Sequence, residues 1–311
     1  MKKARWSSAI VLAMALGACS DSTDSSQSTE SAASSNEGGR PAAVSGKSFD
    51  LIQGEKIDLL EYAVRKLTGS CLKDAGYPQM ANVGVQRQNG TEMMFVLDGG
   101  RFRGFTSEKQ ARERGFGSVY PAEPARLVSY DKNFDKKLEE CTDEANEKLG
   151  EDSRKTIEAY NEVANQVAGE FAVFLRKRVP SDIPALADCL EKEGFPLRDR
   201  EAFLKMWDVK HFGIKLGANK KIDQWAPSPA KGGVQIGPPV AERPYTPSPQ
   251  EAELAAAWYR CDAASGRVEK LLKDANATAA EITARNEDKL AELNPKIEDL
   301  AKKAADLVGS A

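Results

Sequence analysis

The sequence predicts a mainly α-helical protein of two tandem helical units, each pinned by a disulfide. Long coiled-coil-like helices close the chain, and a small β-hairpin sits in the first unit. Three observations carry that expectation. Apolar residues recur at helical 4-3 spacing over long stretches, a Cys-Leu-x-x-x-Gly-aromatic-Pro element occurs twice, and four cysteines remain once Cys19 is set apart. The 311 residues carry 44 Lys+Arg against 47 Asp+Glu, with a single His. A net charge of −3 removes the usual electrostatic case for nucleic-acid binding, which needs a basic face. With His211 alone, a His-based metal cluster is excluded, and any triad would rest on that one ring.

The N-terminus is the most informative stretch. Lys2, Lys3 and Arg5 precede an apolar run of eight residues, Ala9 to Leu16. At about 1.5 Å per residue such a run cannot cross a hydrocarbon core of about 30 Å, but it suits a signal-peptide core. Leu16-Gly17-Ala18-Cys19 follows, and it resembles the lipobox of bacterial lipoproteins. That resemblance implies removal of residues 1–18 and a diacylglyceryl, palmitate-bearing Cys19 as the mature first residue. Two acyl chains anchor a protein stably where one does not, so the membrane is an expected partner through the lipid alone. Residues 20–46 hold nine Ser and four acids with almost nothing apolar, so 19–48 is expected to be a lipidated cysteine followed by a disordered tether. Losing Lys2, Lys3 and Arg5 takes the net charge from −3 to −6, which suits an acidic body poorly to anionic headgroups.

The first unit, 49–178, and the second, 181–308, are marked by the repeated element. Cys71-Leu72-Lys73-Asp74-Ala75-Gly76-Tyr77-Pro78 aligns with Cys189-Leu190-Glu191-Lys192-Glu193-Gly194-Phe195-Pro196. Each reads as a helix end, with Gly in the left-handed position and Pro beyond it. A second cysteine follows 70 residues later in one copy and 72 in the other, each within a helical stretch. Phe116-Gly117 and Phe212-Gly213 recur as well. In an exported protein an even number of cysteines suggests disulfides. A unit that once folded alone favours Cys71–Cys141 and Cys189–Cys261, although both cross-unit pairings also satisfy a two-fold relation.

Between these landmarks, Gln88-Asn89-Gly90 before Met93-Met94-Phe95-Val96-Leu97 predicts the hairpin. Residues 214–249 hold seven of the fifteen Pro and predict a long irregular loop, in which Trp225 and Tyr245 are candidate ligand contacts. Phe134, Leu138, Cys141 and Ala145, then Tyr160, Ala164, Val167, Phe171 and Phe174, mark the long helix of the first unit, ended by Val179-Pro180. In the second, Leu254, Trp258, Cys261, Ser265, Val268, Leu272, Ala275, Ala279 and Ile282 follow a seam. It resumes after a stutter at Asn286–Leu290 as Leu293, Ile297, Leu300, Ala304 and Leu307. Pro295 should kink or break that helix near Glu292. Residues 295–311 keep an apolar face that must dock on the body or on an envelope protein partner.

Chemistry is sparser. His211 is the remaining candidate contact. No catalytic residue, cofactor or metal is expected, and no phosphate cradle or nucleophile elbow stands out. The Cys-Leu element, Gly115-Phe116-Gly117 and the later helical cysteine are together similar to lipoproteins common in actinobacteria. Here the elements occur twice, with His211-Phe212-Gly213 in place of the second Gly-aromatic-Gly. That resemblance implies a location and disulfide-pinned helices, and no activity. The expected function is a lipid-anchored binding or interaction module outside the cytoplasm, at the outer face of the plasma membrane, or on an outer membrane if the envelope has one. The rivals are an envelope hydrolase and a solute-capture lipoprotein serving a transporter.

Overall fold

The computed structural model describes residues 49–309 apart from 84, 89, 99–101, 103 and 223–224. The signal segment 1–18, Cys19 and the tether to residue 48 lie outside the described residues. In chain order the helices are α1 (Gly54–Asp74), α2 (Gly90–Met94), α3 (Glu108–Arg114), α4 (Lys132–Leu149), α5 (Ser153–Arg178), α6 (Ile183–Lys192), α7 (Arg200–Met206), α8 (Pro249–Ser265), α9 (Arg267–Arg285) and α10 (Glu287–Val308). The strands are short: β1 (Leu127–Ser129), β2 (Ala218–Asn219), β3 (Val234–Ile236) and β4 (Tyr245–Thr246).

The repeated element folds the same way twice. At the end of α1, Ala75 N–H donates to the Cys71 carbonyl, Gly76 N–H to Lys73 and Tyr77 N–H to Leu72. At the end of α6, Glu193 donates to Cys189, Gly194 to Glu191 and Phe195 to Leu190, the same three bonds at the same offsets. Gly76 and Gly194 take φ of +97° and +91°, a conformation that glycine reaches without strain. The sulfurs of Cys71 and Cys141 lie 2.02 Å apart, and those of Cys189 and Cys261 lie 2.00 Å apart. Each bond joins a helix that ends in the repeated element to a helix that follows later in its unit, α1 to α4 and α6 to α8.

The two units share their largest core. It draws Ile57 and Leu60 from α1, Tyr160 and Val167 from α5, Ala279 from α9 and Ile297 from α10. A second core gathers α6, α7 and α8 around Phe203, Leu254 and Ala257. A third, around Leu72, Phe134 and Cys141, stacks Tyr77 edge-on against Phe134 at 4.9 Å.

The expected hairpin is replaced by α2. Asp58, buried on α1, accepts the N–H groups of Thr91 and Glu92 at 3.0 Å each, and this carboxylate cap turns the chain after Gly90 into a helix. The strands form elsewhere. β1 pairs antiparallel with β3, setting Val128 opposite Gln235, and β2 pairs with β4. Single bridges Tyr120–Arg243 and Glu123–Val240 extend the first pairing, so the Pro-rich loop is zipped onto the first unit rather than left irregular.

The long C-terminal helix is three helices. Gly266 breaks it with φ +58°, and the paired side chains of Arg267 and Asp262 straddle the break, Nε–Oδ1 at 2.5 Å and Nη2–Oδ2 at 2.8 Å, both buried. The second break falls at Asn286, where the stutter was expected. Pro295 breaks nothing: α10 runs through it, held by Leu290 and Leu293 before it and Ile297 and Ala301 after it, whose burial outweighs the lost hydrogen bond. Beyond Gly266, apart from the buried Arg267 and Thr283, the buried positions are Val268, Leu271, Ala275, Ala279, Ile282, Asn286, Leu290, Leu293, Ile297, Ala301, Ala304 and Val308. They repeat every eleven residues, close to the natural helical period, so the stripe stays on one face without heptad supercoiling. This moves the seam by one position at Leu272, Leu300 and Leu307, and Leu307 is 41% exposed. The apolar face of 295–308 lies against α1 and α5, and Lys66 Nζ donates to the Val308 carbonyl at 2.8 Å.

Ile297→Ala is expected to cost about 2–5 kcal/mol in urea unfolding, as for other emptied core sites. Leu307→Ala, on the outer side of the same helix, should stay within about 0.5 kcal/mol of the parent. Peptide mapping without reduction should recover Cys71 joined to Cys141 and Cys189 joined to Cys261. A Cys71–Cys189 peptide would contradict the fold.

Candidate functional site

Helix α8 opens with Ser248-Pro249-Gln250-Glu251. Ser248 Oγ accepts the Glu251 N–H at 3.2 Å, and Pro249 fills the first helical position, which has no N–H to satisfy. Glu251 itself is fully buried. Its Oε1 accepts the Phe116 N–H at 2.7 Å, and its Oε2 accepts the Gly217 N–H at 2.5 Å and the Tyr245 hydroxyl at 2.8 Å. One carboxylate therefore joins the Gly115-Phe116-Gly117 step of the first unit to two segments of the second.

The glycines around this carboxylate are dictated by space. A Cβ at Gly115 would lie 2.6 Å from Glu251 Oε1, one at Gly117 would lie 2.2 Å from the Tyr245 ring, and one at Gly217 would lie 2.0 Å from the Thr246 carbonyl oxygen. Phe116, between the first two, packs edge-on against Phe105 at 5.7 Å and Trp258 at 5.3 Å. Burial and then the adjacent Glu251 push the Tyr245 phenol up to about 12, so it remains a neutral donor at ordinary pH. Each oxygen of Glu251 is occupied, and the phenol is spent on it. The cluster anchors; it offers no base or nucleophile.

The sequence-predicted contacts do not converge. Tyr245 belongs to the Glu251 cluster. The Trp225 ring lies over Gly237, where a Cβ would meet it at 2.5 Å, so it covers its own loop. His211 sits on a 3-10 turn, Val209–Phe212, with its carbonyl accepting the Arg198 N–H at 2.8 Å and its Nε2 enclosed without a hydrogen-bond partner. Among the described residues no hydrogen bond or ring contact joins these three side chains. Glu251 was missed in the sequence, although Ser248-x-x-Glu251 is a capping-box pattern and could have drawn attention to it.

The surface of the described residues includes two open depressions. One, of about 480 Å³, lies between Phe49, Ile52, Glu55, Phe95 and Leu97. The other, of about 470 Å³, lies between Phe195, Pro196, Phe212, Ile214 and the start of α8, with Glu253 on its rim paired to Arg112. Among the described residues no group of His, Cys, Asp and Glu side chains is arranged to hold a metal, and no helix is long and apolar enough to cross a membrane. Comparison with protein-family models, curated proteins and solved structures gives no match.

The raised Tyr245 pKa fixes the sign of an alkaline effect. The unfolded chain releases this proton near 10 and the folded chain near 12, so the stability it contributes is intact below pH 10 and lost as pH rises through 12. The unfolding free energy of the parent should fall across that window. Tyr245→Phe should fall less steeply there, after losing about 1–3 kcal/mol at neutral pH from the missing donor to Glu251. Parallel slopes for the two proteins would remove Tyr245 from the alkaline transition.

Proposed function

We propose that this protein is a lipid-anchored binding or interaction module of the cell envelope, facing out of the cytoplasm and held to the membrane through Cys19. The observation that carries the reading is the run Leu16-Gly17-Ala18-Cys19 at the end of a short apolar segment and ahead of a Ser-rich stretch. Two cysteine pairs at disulfide distance support an oxidising compartment. The acids and aromatics of the body support binding over catalysis: the buried carboxylate is saturated by structural donors, the phenol beside it is held neutral, and His211 has no hydrogen-bonded acid to orient it. The destination is the outer face of the plasma membrane, or an outer membrane where the envelope has one.

Cys19→Ala tests the anchor. The variant is expected to leave the membrane fraction or to accumulate as an unprocessed precursor, read by fractionation and by intact mass. A processed, mature-size Cys19→Ala protein that still sediments with membranes would end the lipid-anchor reading.

A further inference from the structure

We propose that the turn at Met206-Trp207 is a membrane-contacting surface, which lays these two side chains into the headgroup region of an anionic bilayer and so orients the tethered body. The proposal deepens the lipid-anchored reading and rests on it.

Trp207 is the one residue other than glycine among those described with a positive φ, +50°. A bulky side chain is strained in that region, and such strain persists only where the surroundings impose it. Here they do. The Trp207 N–H donates to the Phe203 carbonyl at 2.6 Å and closes α7, while Asp208 accepts the Lys210 N–H at 2.9 Å and opens the next turn. Phe203 and Phe212, both buried, stack at 5.1 Å and clamp the two flanks together. The clamp leaves Met206 66% exposed and Trp207 39% exposed, and Met206 is the most exposed large apolar side chain among the described residues. Trp225 and Trp258 are each partly covered by the protein itself. Two apolar side chains held outward side by side on a rigid turn form a small patch that suits an occupant apolar just below its surface.

Charge selects the occupant. The chain as a whole is acidic, yet residues 195–222 carry seven Lys and Arg against three Asp and Glu. Lys205 and Lys210 flank the turn, paired with Glu201 at 2.9 Å and Asp208 at 2.7 Å, so the positive charge comes mainly from Lys215, Lys220 and Lys221, which are exposed beyond it. The acidic remainder of the body does not suit anionic headgroups, but this segment reverses the sign locally. Tryptophan favours the membrane–water interface, where its ring is half immersed and its N–H stays wet, and lysines beside it meet phosphate. The side chains stand out from a turn rather than lining a groove, which fits a deformable lipid surface better than a folded protein.

The test uses the purified full mature chain in vesicles of phosphatidylcholine and phosphatidylglycerol with brominated acyl chains, which quench tryptophan within reach of the lipid. The expected result is partial quenching that disappears in Trp207→Phe and diminishes when phosphatidylglycerol is withdrawn. Quenching that persists in Trp207→Phe would place another face on the membrane and overturn the proposal. Should the mature protein prove to lack a lipid on Cys19, the anchor reading fails by itself, and the soluble chain is added to the same vesicles. Trp207-dependent quenching there still upholds the contact. No quenching in either form overturns it. If, in that case, Lys205→Glu with Lys210→Glu also abolishes a cross-link to an envelope protein in cells, the face belongs to an acidic protein instead.

Discussion

Glu251 has been taken wholly out of water, and only hydrogen bonds offset that removal. Its carboxylate collects two backbone N–H groups and a phenol from three separate stretches of chain. The two backbone donors tie the Gly115–Gly117 step to the approach to β2, and the Tyr245 phenol ties β4 to the start of α8. Phe116 is thereby delivered into the second unit beside Trp258, and Trp258 lies one helical turn before the disulfide-bonded Cys261. Removing the carboxylate would orphan three donors at once, which is a larger loss than any single contact suggests.

The duplication is visible in hydrogen bonds as well as in letters. Both copies end the cysteine-bearing helix with the same three bonds and tie it to a later helix by the same kind of sulfur pair. They differ in what covers the strand just before that later helix. In the second copy β4 pairs with β2 of the same unit, whereas in the first copy β1 pairs with β3, which belongs to the Pro-rich loop of the second. The two units are interlocked, and they share their largest core.

Local features were legible in the sequence, and their partners were not. Gly76 and Gly194 announce their helix ends because a left-handed residue followed by Pro has few alternatives. The mainly helical class followed from spacing, whereas the cysteine pairs needed the further premise that each unit once folded alone. The hairpin failed because Asn89-Gly90 is a local signal, and it lost to Asp58, a carboxylate some thirty residues away that caps the same segment as helix. Pro295 failed as a breaker for a similar reason, since packing on both sides of it decides the matter. The one-residue slip of the seam reflects a choice of period: seven and eleven agree over short stretches and separate over forty residues. Trp225, Tyr245 and His211 were singled out by residue type, but burial against their own neighbours is a tertiary fact that composition does not carry.

The Lys66–Val308 hydrogen bond links α1 to the last turn of α10. A ribosome delivers residue 66 long before residue 308, so α1 can meet α4, its disulfide partner, well before α10 arrives to close the largest core. The amino-terminal half is thus the first made and the last finished. The largest core therefore stays open at its α10 face until the end of the chain is available to close it.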